Sequence, residues 1–134
     1  MSHWAMEYLG QPWTPERNCY YWFRRIMVEQ FGHDGLPPVA EVNEKGSVRV
    51  AMRALTDESV KRYGWIPTEV ASEGGAVFLT EGTRSSHLGV ATYIKGKLLI
   101  IHACKNTGVV LSDTLALKVN NLRITGHWAY ENIL

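Results

Sequence analysis

Three side chains in the sequence have the types that thiol acyl transfer needs: Cys19, His87 and His102. Cys19 follows Asn18, a predicted helix N-cap, so its thiol would lie in the first turn of a helix. Unpaired N–H groups and the helix dipole favour a thiolate there and could stabilise an oxyanion. A histidine can activate the thiol when a third polar group holds its other ring nitrogen. The three residues supply all these parts.

The two histidines are predicted to share one face of a β-hairpin. Two strands flank Lys95-Gly96, a suitable two-residue turn, and this turn places Gly89 opposite His102. His87 and His102 then become diagonal neighbours, roughly 7–8 Å apart at the backbone. A turn one residue longer or shorter would put them on opposite faces. Docking of the Cys19 helix across the histidine face would complete the site.

The elements that must position these residues change in type along the chain. Apolar residues at helical spacing predict a helix that begins at Cys19, is capped by Asn18 and ends at Gly32. Residues 1–73 read as a helical part, with a further helix at 48–55, although 48–50 would also suit a strand, and a short helical turn at 57–63. Residues 81–86 read as a polar loop. Residues 74–134 read as a sheet part, with strands at 76–79, 87–94, 97–103, 108–111 and 122–130. Helices followed by an antiparallel meander predict an α+β fold.

Length and charge narrow the function classes. A chain of 134 residues predicts a single domain, 1–134. Its 14 basic and 13 acidic side chains give a net charge of +1, so neither nucleic acid nor membrane is expected as a partner. We expect no secretory signal and no membrane span, and hence a cytoplasmic location in the producing cell.

Five short motifs together resemble the NlpC/P60 cell-wall cysteine peptidases. They are YLGQPW at 8–13, NC at 18–19, GGAVFL at 74–79, HLGV at 87–90 and IHA at 101–103. The family shows a YLG-x-PY loop, an aspartate-cysteine at a helix start and strands of the GD-hydrophobic-F, HVGI and IHA types, in the same order. No single motif is specific, but their order and spacing are, over residues 4–117.

The resemblance implies a papain-like fold and a set of roles. Cys19 would be the nucleophile, His87 the base and His102 the group that orients the base. Trp13 stands where the family has a site-lining tyrosine, and Asn18 where it has an aspartate that helps hold the substrate. Ser86, in the predicted loop before His87, could also contact substrate, so these three are the expected substrate contacts. The implied reaction hydrolyses amide bonds in peptidoglycan stem peptides. The loosened motifs are most similar to the phage-tail branch, which implies tail proteins as partners and a place in the virion tail.

Departures from the family pattern keep a second function open. Asn18 replaces the family aspartate, Tyr20-Tyr21 replaces a serine-glycine, and Ala76 replaces the aspartate of the GD motif. Asn18 can accept a hydrogen bond but cannot pair with a substrate ammonium group. The alternative is therefore a catalytically silent structural or assembly domain of a phage tail tip.

Cys104 opens two lesser alternatives. Cys19, His87, His102 and Cys104 are side chains that zinc accepts, but their spacing matches no compact zinc motif, so we expect no metal and no cofactor. Cys104 is also conceivable as the nucleophile. It ranks below Cys19 because it lies at a strand end, without a helix dipole.

Overall fold

The computed structural model describes residues 3–33, 36, 64–82 and 84–130. This part of the chain contains a short 3₁₀ helix, two α-helices and six strands. In chain order they are the 3₁₀ helix Trp4–Glu7, α1 Cys19–Phe31, β1 Trp65–Thr68, β2 Ala76–Glu81, β3 Arg84–Ile94, β4 Lys97–Cys104, β5 Gly108–Ser112, α2 Thr114–Val119 and β6 Leu122–Tyr130.

All six strands form one antiparallel sheet with the order β1-β6-β2-β3-β4-β5. β2 to β5 follow one another as a meander, and β6 returns to pair with the free edge of β2. The fold is therefore α+β, as predicted, although the described helices are few.

Two described elements differ from the predicted division of the chain. β1 lies within the part predicted to be helical, and α2 lies within the part predicted to be sheet. β1 has only four residues and includes Pro67, which weakens a strand signal. α2 has only six residues, and Asp113 caps it by accepting the N–H of Ala116 at 2.7 Å. The helices predicted at 48–55 and 57–63 lie outside the described residues.

Residues 84–86 were expected in a loop, and this prediction is wrong. The backbone of β3 begins at Arg84, which pairs with Glu81 of β2. A register shift between Leu79 and Thr80 lets the ladder continue to this end of the hairpin. The polar residues 84–86 belong to β3 because the backbone of this stretch pairs with β2, although no apolar pattern marks them as a strand.

The predicted helix is confirmed at both ends. α1 begins at Cys19, and the Asn18 side chain accepts the N–H of Tyr21 at 3.1 Å. The helix ends at Gly32, which has the left-handed φ of 69° that a helix C-cap favours. Its buried residues are Cys19, Tyr20, Trp22, Phe23, Ile26 and Met27.

The predicted hairpin register is also confirmed. Ile94 pairs with Lys97, and the ladder continues in step to Val90 and Ile101. Lys95 and Gly96, between the strands, have φ angles of 53° and 78°. Two positive φ values in succession match a type I′ turn, whose twist suits a two-residue hairpin.

The two faces of the sheet carry separate apolar clusters. Leu88, Val90 and Ile101 pack in one cluster with the buried face of α1. Ala91 and Ile100, their neighbours along the strands, belong to a second cluster with α2. Side chains alternate between the faces of a strand, so α1 covers one face of β3 and β4 and not the other.

The loop that leads to Cys19 is attached to β5 by backbone hydrogen bonds. Gly10 donates its N–H to Val109 at 3.0 Å, and Val109 donates to the carbonyl of Gln11 at 2.9 Å. Gly108, at the start of β5, allows this approach because a Cβ there would overlap the Gln11 carbonyl.

Gly108→Ala should therefore destabilise the fold more than Gly96→Ala. Both glycines have φ near 75–78°, which costs a non-glycine residue about 1 kcal/mol. Only Gly108 faces a carbonyl, whereas nothing lies within 4 Å of a Cβ at Gly96. We expect Gly108→Ala to lower the free energy of unfolding by about 2 kcal/mol more than its control, measured by urea denaturation. Equal losses would contradict the described packing of the loop on β5.

Candidate active site

The Cys19 thiol lies against β3 at the start of α1. The backbone groups of Leu88, Tyr20 and Cys19 itself lie near its sulfur and lower the pKa of the thiol. Only 4% of the residue is exposed. The contact with Leu88 places the sulfur beside the residue that follows His87, so the structure brings the thiol to the strand that carries the predicted base.

The end of the β3–β4 ladder explains why the Leu88 N–H is free to bind a sulfur. Ala91 accepts from Gly74 and donates to Gly75, both at 2.9 Å and both on the β2 side. Backbone groups alternate in direction along a strand, so Leu88 directs its N–H toward β4. The β3–β4 pairs stop at Val90, two residues before this point. The Cys19 sulfur therefore lies near the Leu88 backbone at the point where the described β3–β4 pairs have ended.

Burial overrides the expected activation of the Cys19 thiol. Loss of solvent is the largest influence and raises the pKa of Cys19 to about 11, with a smaller increase from the Cys104 thiol. The three backbone N–H donors act in the opposite direction but are weaker. The expectation that the helix start favours a thiolate is thus corrected: the thiol is protonated at neutral pH.

His87 and His102 lie together as the hairpin register predicts. Their ring centroids are 6.2 Å apart, and the rings meet edge to face at 74°. His87 is half-buried and His102 is buried. The hollow expected at Gly89 is absent from this described part of the sheet, since a Cβ there would lie 2.8 Å from Ile100 Cγ2 and 3.3 Å from the Cβ of His102.

The histidines do not lie on the face that α1 covers. His87 pairs with Leu79, a member of the second cluster, and His102 alternates in step with Ile100 of the same cluster. The expectation that α1 docks across the histidine face is therefore wrong. α1 packs on the opposite face, and Cys19 contacts β3 at the end of the β3–β4 ladder instead.

His102 is held at both ring nitrogens by residues that sequence reasoning did not assign to it. Its Nε2 lies 3.0 Å from Ser112 Oγ, and its Nδ1 lies 3.4 Å from Cys104 Sγ. The spacing of Cys104 two residues after His102 could have indicated a shared face. Ser112 required the β4–β5 register, in which it pairs with Ile100.

His87 keeps a ring nitrogen available. Its Nδ1 is buried and has no hydrogen-bond partner within the described part of the chain. Burial is the main cause that lowers the pKa of His87, against a smaller raising effect of Glu81. Burial, and then the neighbouring His87, lower the pKa of His102 to about 4. Both rings are therefore neutral at pH 7.

The three residues expected to contact the substrate lie in different surroundings. Trp13 is half-buried against the core around α1, and Lys105 Nζ lies 5.5 Å from the centre of its ring. The oxygen of the Asn18 side chain serves the helix cap. Ser86 lies in β3, and its side chain is outside the described part of the structure.

Among the residues that the structure describes, no group of three or more His, Cys, Asp or Glu side chains could hold a metal ion. A groove of about 620 Å³ between α2 and β6 is lined by none of the predicted site residues. Its lining consists of Thr80, Gly82, Thr114, Leu117, Lys118, Asn121, Leu122, Arg123 and Ile124.

Comparisons with known proteins assign no family to the chain. No protein-family model matches it. No curated protein matches it significantly. Within the described ranges, none of the helices has the length and apolar character that crossing a bilayer demands.

The buried His102 should make stability depend on pH. Its pKa is about 4 in the fold against 6.5 in the unfolded chain, so the unfolded chain binds more protons between these values. The free energy of unfolding should therefore fall as the pH drops from 6.5 toward 4, with about 3 kcal/mol attributable to His102.

Urea denaturation of the wild type and His102→Asn at pH 7.5, 6, 5 and 4.5 would measure this contribution. The variant should be less stable than the wild type at every pH, but its stability should decline less on acidification because it lacks His102. Some decline should remain, because His87 and His127 are also titratable and are present in both proteins. Parallel pH profiles would contradict a buried neutral His102.

Proposed function

We propose that the chain is a thiol-dependent hydrolase of amide bonds, with Cys19 as nucleophile and His87 as general base. One observation carries the proposal: Cys19 lies at a helix start, close enough to the backbone of Leu88, the residue next to His87, for that backbone to lower the pKa of its thiol. The neighbouring His87 is neutral at pH 7, and within the described ranges its Nδ1 has no hydrogen-bond partner, as a base requires.

The proposed reaction begins from a neutral pair. The thiol is protonated and the imidazole is neutral, and the His87 ring lies on the face of β3 opposite to α1. The mechanism therefore requires the His87 ring or the start of α1 to move, so that the thiol proton passes to His87 as the sulfur attacks the substrate carbonyl carbon. A carbon–sulfur bond forms, and backbone N–H groups at the start of α1 stabilise the oxyanion. The carbon–nitrogen bond then breaks, and the amine leaves with the proton held by His87. Water, deprotonated by His87, hydrolyses the resulting thioester and restores the thiol.

The substrate class comes from the resemblance to NlpC/P60 peptidases. We infer a papain-like arrangement, peptidoglycan stem peptides as substrate and a setting in a phage tail. A cysteine-bearing helix that packs on an antiparallel sheet supports the fold assignment, as does the order of the five motifs. Asn18 uses its side-chain oxygen for the helix cap, so recognition of the substrate amino group would fall to other residues.

Cleavage of a stem tetrapeptide or of purified sacculi tests the proposal. Cys19→Ala should abolish product, and His87→Ala should reduce the rate by about 100-fold or more, the usual contribution of a general base. His127→Ala, on β6 two strands away from β3, is the matched control and should retain activity. Chromatography of the released peptides would measure the activity of the wild type and of the three variants. Equal product from the wild type and Cys19→Ala would reject the mechanism.

A silent structural domain of a tail tip is the second candidate. The burial of the Cys19 sulfur and its raised pKa favour it, because a thiol of this kind reacts slowly. Reactivity toward iodoacetamide separates the two candidates. Trypsin would release Cys19 in residues 18–24 and Cys104 in residues 98–105, so mass spectrometry can follow each thiol in one sample.

Under the hydrolase proposal, His87→Ala should slow alkylation of Cys19 by about tenfold, since the base that removes its proton is lost. Cys104 serves as the internal reference for general unfolding, because a loosened fold would speed alkylation at both thiols. A Cys19 rate that does not respond to His87→Ala would favour the silent domain.

A further inference from the structure

We propose that Cys104 is a positioning residue of this site, whose thiol fixes the tautomer and orientation of the His102 ring. The proposal rests on the proposed function, in which His87 is the base, and on the supporting role of His102 that the family resemblance implies. It assigns a role to a second thiol that none of the five motifs includes.

The hydrogen bonds around His102 carry the proposal. Cys104 Sγ lies 3.4 Å from Nδ1, and Ser112 Oγ lies 3.0 Å from Nε2 on the other side of the ring. His102 is 4% exposed, so water cannot readily replace either partner. The ring is thereby held at both nitrogens, and its centroid lies 6.2 Å from that of the His87 ring in an edge-to-face contact.

The sheet register places these groups on one face. Cys104 follows His102 by two residues on β4, so both side chains point the same way. Ser112 lies opposite Ile100 on β5, one step along the same face. The three side chains are supplied by paired strands, which gives the hydrogen bonds a rigid frame.

The direction of the hydrogen bonds decides the tautomer. Burial, against a weaker effect of Thr107, raises the pKa of Cys104, so the thiol keeps its proton at pH 7 and can donate it. Nδ1 of neutral His102 then accepts, and Nε2 carries the ring proton and donates to Ser112 Oγ. Loss of the thiol would leave Nδ1 buried without a donor and allow the ring to change tautomer or rotate.

Nitrogen NMR of the histidine side chains tests this assignment without any need for activity. In ¹⁵N-labelled wild-type protein at pH 7, we expect His102 in the Nε2–H form. Cys104→Ala should shift the His102 nitrogens toward a mixture of tautomers, and Cys104→Ser, which keeps a donor, should restore most of the wild-type pattern. His102 resonances that stay the same in Cys104→Ala would overturn the proposal.

Kinetics with the stem tetrapeptide add a functional readout. Cys104→Ala should lower kcat by about tenfold and leave KM nearly unchanged, because the residue holds a catalytic group rather than substrate. Cys104→Ser should recover most of this loss. Full activity of Cys104→Ala would overturn the role in catalysis. If the wild type itself cleaves nothing, the proposed function fails, whereas the NMR comparison still decides whether Cys104 positions His102.

Discussion

The arrangement of the candidate site depends on the two-residue turn between β3 and β4. Positive φ angles at Lys95 and Gly96 close the hairpin with Ile94 opposite Lys97, and every later pair follows from this one. Because side chains alternate along a strand, this register decides which face carries each residue. It places His87 and His102 on one face and leaves Leu88 and its neighbours to pack against α1. A turn with one more residue would reverse the face of one strand and separate the rings.

The end of the same ladder decides where the thiol can lie. The β3–β4 pairs end at Val90, and two residues further along β3 the backbone of Leu88 lies near the Cys19 thiol and lowers its pKa. The contact joins the start of α1 to the sheet through the backbone, although the histidine side chains point to the other face. The same enclosure removes water from the sulfur, and for Cys19 this effect exceeds the combined influence of three N–H donors. A helix start therefore does not by itself produce a thiolate.

The sequence was most informative where local rules act. The cap at Asn18, the end at Gly32 and the turn at Lys95-Gly96 are set by residues close in the chain, and all three were predicted. β1 and α2 were not, because four and six residues give too short a periodic pattern. The face covered by α1, the burial of Cys19 and the contact between Ser112 and His102 depend on packing between distant segments. Periodicity says that a helix has a buried side, but it does not say which face of the sheet receives it.

The hydrogen bonds of His102 determine which kind of contact it can make with His87. Both nitrogens of His102 already have partners, so the described contact between the rings is an edge-to-face approach rather than a shared proton. Among the described residues, none pairs with the buried Nδ1 of His87, and such a group typically costs about 1–3 kcal/mol. Any donor that reaches this nitrogen recovers that free energy. The nitrogen thus favours approach of a substrate donor to His87, and packing against His102 keeps the ring in place to receive it.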